Sequence, residues 1–319
     1  MKQLFIKGIG HSHPKNIITN QFLTDLNIGT NDQWIMERVG IRERRTILSL
    51  DHIKNTLNEN RTENIKFINE GTKSLVLEAS DLAFQRAQIK KEQIDLVIAG
   101  GCTQTSLIPS DAARYANILG INAPSIDFNS ACSSWTAGIH FSRSLSDYKN
   151  ILLINCEVPT AHVSYVDRKN CVLIGDACAA TILSRNDGEF FVEDSLFNSN
   201  PTGCDKVVLP INGFFEQDGP AVQKFAISHM IKLYEALNRD GSVFIGHQAN
   251  SRALESVVNR FGIQKHFSNI EYYGNTFAAG AASVFSQNYE NEDLNNVVVG
   301  TVGSGLTWAG ARLIRNKND

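Results

Sequence analysis

Three buried-strand patterns recur in the same order in the two halves of this sequence, and that recurrence limits the fold more than any other feature. Ile94–Gly101 ("IDLVIAGG") stands 147 residues before Gly241–Gln248 ("GSVFIGHQ"). Ser125–Cys132 ("SIDFNSAC") stands 145 before Ile270–Phe277 ("IEYYGNTF"), and Asn150–Glu157 ("NILLINCE") 146 before Asn296–Gly303 ("NVVVGTVG"). The letters barely agree across the offset, so the order of elements is repeated and the wording is not, as an internal duplication predicts. Helical patterns fall between the strands. "PSDAARYANILG" (109–120) opens on Pro and Ser and closes on Gly, and "NSRALESVVNRFG" (250–262) also ends at Gly, which is how helices are punctuated. Further helices are expected over residues 71–88, from Cys132 to Leu145, and over "TFAAGAASVFSQNY" (276–289). Further strands are expected over "SIDF" (125–128) and "NIEYY" (269–273). Buried strands alternating with helices predict an α/β protein of stacked layers, divided into halves 1–165 and 166–319. Residues 45–70, rich in Asn, Glu and Lys, are expected to run over the surface and not to enter the core.

Composition narrows the function. With 319 residues, 42% of them hydrophobic and 20% charged, the chain has material for a large core. A net charge of −3 gives no broad basic field for nucleic acid or an anionic membrane. No apolar run approaches the roughly 18 residues of a membrane span, and the first apolar stretch is too short for a signal peptide. The six cysteines are scattered without a Cys-x-x-Cys pair, so neither a zinc or other metal site nor a disulfide framework is expected. Free thiols suit a reducing cytoplasm.

In α/β sheets, sites gather outside the carboxyl ends of strands. Three chemically capable residues fall there: Cys132 after "SIDF", His247 after "SVFIG", and Asn275 after "NIEYY". A thiol at the start of a helix is expected to have a lowered pKa, because unpaired N–H groups and the helix dipole favour the thiolate. An imidazole could pair with that thiolate or donate to an oxyanion, and an amide can donate to the same oxygen. Each has a plainer alternative: cysteine is a frequent packing residue, histidine beside a strand is often structural, and asparagine forms turns.

Four stretches together settle that choice by likeness. "ACSS" after a strand, "GHQANSR", "YYGNTFAAG" and the late "GSGLTWAGA" resemble β-ketoacyl-acyl carrier protein synthase III, a condensing enzyme of the thiolase-fold superfamily. The likeness runs from "NDQWIMERVGIRERR" to "TWAGARLI". It implies a thiolase fold of two duplicated halves in an α-β-α-β-α arrangement, with Cys132 as an acylated nucleophile. It implies that an acyl group arrives from acyl-CoA and is condensed with malonyl-acyl carrier protein, losing CO₂. His247 and Asn275 then hold the developing enolate oxygen, and the backbone N–H groups of Cys132 and Ser304 form the acylation oxyanion hole. No metal or cofactor is implied beyond CoA and phosphopantetheine as carriers.

The same resemblance assigns Trp34 and Arg168 to a sandwich around the CoA adenine, Arg38 to its phosphates, and Asn250 to pantetheine. Arg252 and Arg260 fall to carrier-protein docking. Ile108, in "TSLIPSD" (105–111), matches a position reaching into the partner's acyl pocket in a homodimer; its alternative is an ordinary core residue. Departures from the family pattern cluster around the acyl pocket: Phe277 replaces Ser, Gly246 replaces Pro, Ser134 replaces Gly, and Trp135 replaces a smaller aromatic. They bear on which acyl group is used, in fatty-acid initiation or a specialised polyketide-like pathway. Two rival readings on the same fold are an acyltransferase that does not decarboxylate and a subunit of a heteromeric synthase.

Overall fold

The computed structural model describes residues 3–239 and 241–316. The first half contributes β1 (Phe5–Ser12), β2 (Asn16–Thr19), β3 (Glu43–Thr46), β4 (Leu96–Gly100), β5 (Ser125–Phe128), β6 (Asn150–Glu157) and β7 (Ala177–Ser184). Its helices are α1 (Asn20–Asp25), α2 (Asp32–Val39), α3 (Leu50–Thr56), α4 (Ile65–Ala87), α5 (Asp111–Leu119), α6 (Ser134–Ser142) and α7 (Arg168–Cys171). The second half contributes β8 (Phe190–Ser199), β9 (Val207–Val208), β10 (Glu216–Gln217), β11 (Val243–Gly246), β12 (Asn296–Gly303) and β13 (Thr307–Arg315). With these come α8 (Gly219–Leu237), α9 (Ser251–Phe261), α10 (Ile270–Tyr273) and α11 (Ala279–Gln287).

Nine strands form one sheet in the order β11-β12-β13-β8-β1-β7-β6-β4-β5. It is two sheets joined at a narrow seam, where β1 meets β8 only through Phe5–Phe191 and Ile6–Phe190. β4, β5 and β6 run parallel; β4 and β6 are fully or largely buried, which is why they read as continuous apolar runs, while β5 at the sheet edge is only partly covered. The small-residue helices α6 and α11 touch strands of both halves, α6 reaching β6, β8 and β13 and α11 reaching β1, β7 and β11. α4 and α5 cover the first half's other face, and α8 covers β12 and β13. The result is the layered α-β-α-β-α arrangement that the resemblance implies.

The duplication is visible in the elements themselves. α6 and α11 are both nine residues long and begin 145 residues apart, and β6 and β12 are both eight long, 146 apart. Three expectations need correction. "NIEYY" is not a strand: Ile270–Tyr273 makes one helical turn ending at Gly274, so among the described residues the second half has no counterpart of β5. The chain does not divide at 165/166, because β7 pairs with β1 and β6 of the first half, and the sheet passes to the second half only at β8. Residues 45–70 also do more than cover the surface. Leu48 and Ile53 are fully buried in the core, and the buried amides of Asn58 and Asn64 bond to the backbone of Val163 and Ala161 at 2.6 and 2.9 Å. A polar composition concealed them because their polar groups are paired internally.

Candidate active site

Cys132 stands in a short 3₁₀ turn, Ala131–Ser133, that leads directly into α6. Ala131, just before it, has φ of 46°, a left-handed conformation costly for a residue with a Cβ and typical of functional turns. The serines around it fasten the turn. Ser134 Oγ accepts from Ser130 N–H at 2.9 Å and lies 2.7 Å from Ala131 O, to which it donates. Ser133 Oγ meets Ser130 Oγ at 2.7 Å and Thr307 Oγ1, from β13, at 2.9 Å. Thr307 Oγ1 also lies 3.1 Å from the carbonyl of Ser304. The Gly303–Ser304 segment therefore abuts the turn bearing Cys132, and a Cβ on Gly303 would sit 2.7 Å from Ser130 O and 3.0 Å from Ser133 N. Only glycine permits that approach.

The expected lowering of the Cys132 pKa is not what its surroundings produce. Burial pushes the thiol well up, the carboxyl of Glu157 adds to the rise, and only the residue's own N–H favours the thiolate. No cation stands in the balance. The surroundings of Cys132 therefore favour the thiol over the thiolate.

His247 is the first residue past β11 and is buried. Burial lowers its pKa to about 4, so the ring is neutral at ordinary pH, and its Nδ1 has no hydrogen-bond partner among the described residues. Gln248 behind it accepts from Ser268 Oγ at 2.7 Å and from Asn269 N–H at 3.1 Å. Asn275 is held on both sides of its backbone: its N–H donates to Leu173 O at 2.7 Å and its carbonyl accepts from Gly175 N–H at 3.1 Å. Gly274 before it has φ of 68°, and a Cβ there would meet Leu173 O at 2.7 Å. Behind this segment the fully buried Arg44 donates to Val172 O at 2.8 Å and Asn20 Oδ1 at 2.6 Å. Asn275 Oδ1 accepts the N–H of Phe277 at 3.0 Å, which turns the amide so that Nδ2 holds its two donors free of any other partner among the described residues. Phe277 is itself strained, with φ of 49°, close to the place in the repeat that Ala131 occupies in the first half.

Sequence reasoning missed Glu157. Fully buried at the end of β6, its carboxyl accepts from Thr103 Oγ1 at 2.7 Å, Thr103 N–H at 3.1 Å and Cys102 N–H at 3.2 Å. It also accepts from Ala278 N–H, three residues past Asn275, at 3.4 Å. Burial pushes its pKa up to about 7. The signal was present: a lone carboxylate closing the otherwise apolar strand "NILLINCE" has to be satisfied somewhere inside. Glu157 thus bonds to the segment that follows Asn275 and its charge acts on Cys132, while Thr307 joins the Cys132 turn to Ser304.

The chain is similar to known proteins along its length. Residues 126–201 match the family model described as 3-oxoacyl-[acyl-carrier-protein] synthase III, and residues 234–314 match the model of its C-terminal part. The chain is 32% identical to β-ketoacyl-[acyl-carrier-protein] synthase III of Clostridium perfringens, over 99% of this chain and 100% of that one. It belongs to the β-ketoacyl-[acyl-carrier-protein] synthase III family. Its relative in Fusobacterium nucleatum is 31% identical over 99% of each chain. The crystal structure of the Aquifex aeolicus synthase superposes with a TM-score of 0.82 at 26% identity, over 98% of this chain and 99% of that one.

The outer residues expected of a synthase III fall in three places. Trp34 on α2 carries two guanidinium groups against its ring, Arg38 with Cζ 4.4 Å and Arg168 with Cζ 4.9 Å from the ring centroid. Both guanidinium groups thus stack on the indole, Arg38 as well as the Arg168 expected there. Asn250 caps α9, its Oδ1 accepting from Arg252 N–H at 2.9 Å while Nδ2 donates to Arg38 O at 3.3 Å. Arg252 and Arg260 are exposed on α9. Arg252 borders an open groove of about 730 Å³ that Arg42, Glu255, Glu271 and Tyr272 also line.

Two acyl-pocket expectations part company. Phe277 is buried in the apolar cluster against which Cys132 packs. Trp135 is not: it lies in a different cluster, 5.9 Å from the Phe285 ring, with its indole N–H donating to Thr181 Oγ1 at 3.0 Å. Three residues past Cys132, it points into the core. Ile108 is 85% exposed beside Leu107 at 73%, so the alternative of an ordinary core residue falls. No helix among the described residues is long and apolar enough to cross a membrane.

Proposed function

We propose that this synthase III acylates Cys132 from an acyl-CoA and condenses that acyl group with malonyl-acyl carrier protein, releasing CO₂ and a β-ketoacyl product. The observation that carries the reading is the locked amide of Asn275, whose free Nδ2 donors accompany a neutral His247. A donor pair of this kind suits an oxygen that becomes negative. In the first half-reaction the Cys132 sulfur attacks the thioester carbonyl, its proton passes to the His247 imidazole, and the CoA thiolate leaves with that proton. The backbone N–H groups of Cys132 and Ser304 receive the transient oxyanion. In the second, malonyl loses CO₂, His247 and Asn275 hold the enolate oxygen, and the enolate carbon attacks the acyl-cysteine, releasing the thiolate.

Trp34, Arg38, Arg168 and Asn250 are assigned to the CoA and pantetheine path. Arg252 and Arg260 are assigned to an acidic carrier protein. A second copy of the chain is assigned to the open edge of β5, which carries exposed Ile126, and to the exposed pair Leu107 and Ile108; an uncovered edge with apolar residues invites pairing. The enzyme is assigned to the cytoplasm, in keeping with six cysteines that form no disulfide. The test is a panel of acyl-CoAs with peptide mass spectrometry, followed by CO₂ release from malonyl-carrier protein. Acyl mass on Cys132 alone and CO₂ release dependent on it are expected. Acylation without CO₂ release would favour the transferase reading, and no acylation by any member would remove the nucleophile.

A further inference from the structure

Glu157 has no place in the two half-reactions, yet its carboxyl bonds both to the loop after β4 and to the segment that follows Asn275. Two of its neighbours, Cys102 and Thr103, lie in the loop after β4 of the first half, and Ala278 lies just before α11 of the second. Its shortest bond, from Thr103 Oγ1, is continued by Val158 N–H donating to the same hydroxyl at 2.9 Å. The fit is tight: a Cβ on Gly101 would lie 2.7 Å from Oε1. No Lys or Arg is paired with it among the described residues. The titratable groups that face it are the thiols of Cys102, Cys132 and Cys156 and the phenol of Tyr115, and each is harder to ionise because of it.

We propose that Glu157 is a positioning residue that fastens the loop after β4 to the segment between Asn275 and α11, and through that tie sets how readily Cys132 reacts. The inference rests on Cys132 being the nucleophile, and extends that reading to a residue that touches neither substrate. Its logic is electrostatic. A carboxylate bonded to N–H and O–H groups from both halves makes stronger bonds than a neutral group would. The same charge, facing a thiol with no cation nearby, opposes a second negative charge. Burial places the carboxyl's own ionisation near pH 7, so the opposition grows as pH rises through neutrality.

The measurement is the rate of alkylation of Cys132 by iodoacetamide between pH 5.5 and 9.5, read by peptide mass spectrometry beside acylation and CO₂ release. Glu157→Gln keeps the shape and removes the charge. Alkylation at pH 8 is expected to rise about tenfold, while CO₂ release falls about tenfold as the bond to Ala278 loses its charge. Thr103→Val removes the strongest donor to the carboxylate, so the acid ionises at higher pH and alkylation at pH 7–8 also rises; this variant serves if Glu157→Gln does not fold. A packing role alone would change melting temperature without moving the alkylation profile. Unchanged profiles in both folded variants would overturn the proposal. Alkylation needs neither acyl-CoA nor malonyl, so a wild-type protein inactive in condensation would sink the functional reading while the profile still judged Glu157.

Discussion

Replacing Asn275 separates two functions of one side chain. Its Nδ2 is assigned to the enolate oxygen, and its Oδ1 accepts the N–H of strained, buried Phe277 at 3.0 Å. Asn275→Ala removes both. Deleting one oxyanion donor costs on the order of 10²–10³-fold in rate, about 3–4 kcal/mol, so CO₂ release falls by that factor. Leaving a buried N–H unpaired costs about 1–3 kcal/mol, which lowers the melting temperature by roughly 2–6 °C for a protein of this size. Asn275→Ser restores an acceptor two residues before Phe277 on a side chain too short to reach where the amide ends. It should melt close to wild type and be as slow as the alanine variant. Cys132 should accept an acyl group in both, since the acylation oxyanion hole is assigned to backbone N–H groups. Rapid-quench acylation, CO₂ release and scanning fluorimetry on the three proteins give the answer. CO₂ release within tenfold of wild type in either variant, or acylation lost from a variant that still folds, would refute the reasoning. His247→Ala should slow CO₂ release comparably, and the double variant should lose less than the sum because both donors address one oxygen.

Gly303→Ala should slow acylation of Cys132 by about 10²-fold, because its Cβ would press on backbone atoms of Ser130 and Ser133 and shift the nucleophile's turn; acylation at the wild-type rate would show that the segments yield. His162 is buried, and burial followed by the Arg61 charge lowers its pKa to about 3. Unfolding therefore takes up a proton there below the ordinary 6.5, and the contribution of the neutral ring, present in full above pH 6.5, is lost as pH falls toward 3. His162→Gln should show a shallower fall in melting temperature between pH 6.5 and 4 than wild type, and parallel curves would contradict the assignment. Ile108→Asp should shift the sedimentation coefficient of the protein at micromolar concentration toward the monomer; an unchanged dimer would remove Ile108 from the interface.

Much of this enzyme was legible in one dimension. The apolar runs of β4, β6, β11 and β12 announced themselves because strands buried on both faces tolerate little else. The glycines ending α5 and α9 marked helix ends because both adopt left-handed backbone, with φ of 68° and 59°. Cys132, His247 and Asn275 could be named because the duplicated order pointed to strand ends and the surrounding letters resembled a known family. Other features depend on neighbours distant in sequence. Tyr272 and Tyr273 carry a strand's residue types, yet the turn they form is capped by Gly274 and lies against β3, where Arg42 N–H donates to Glu271 O at 2.7 Å. Trp135 went to the core because α6 is enclosed by strands from both halves. The ionisation of Cys132 reversed for the same kind of reason: a helix start favours a thiolate locally, but β6, ending 25 residues further on at Glu157, brings a carboxyl to it in a buried place. Periodicity and punctuation are local, so the sequence alone determined the elements and the candidate nucleophile. Burial and charge balance are sums over the whole fold, so only the tertiary structure decided in what state that nucleophile waits.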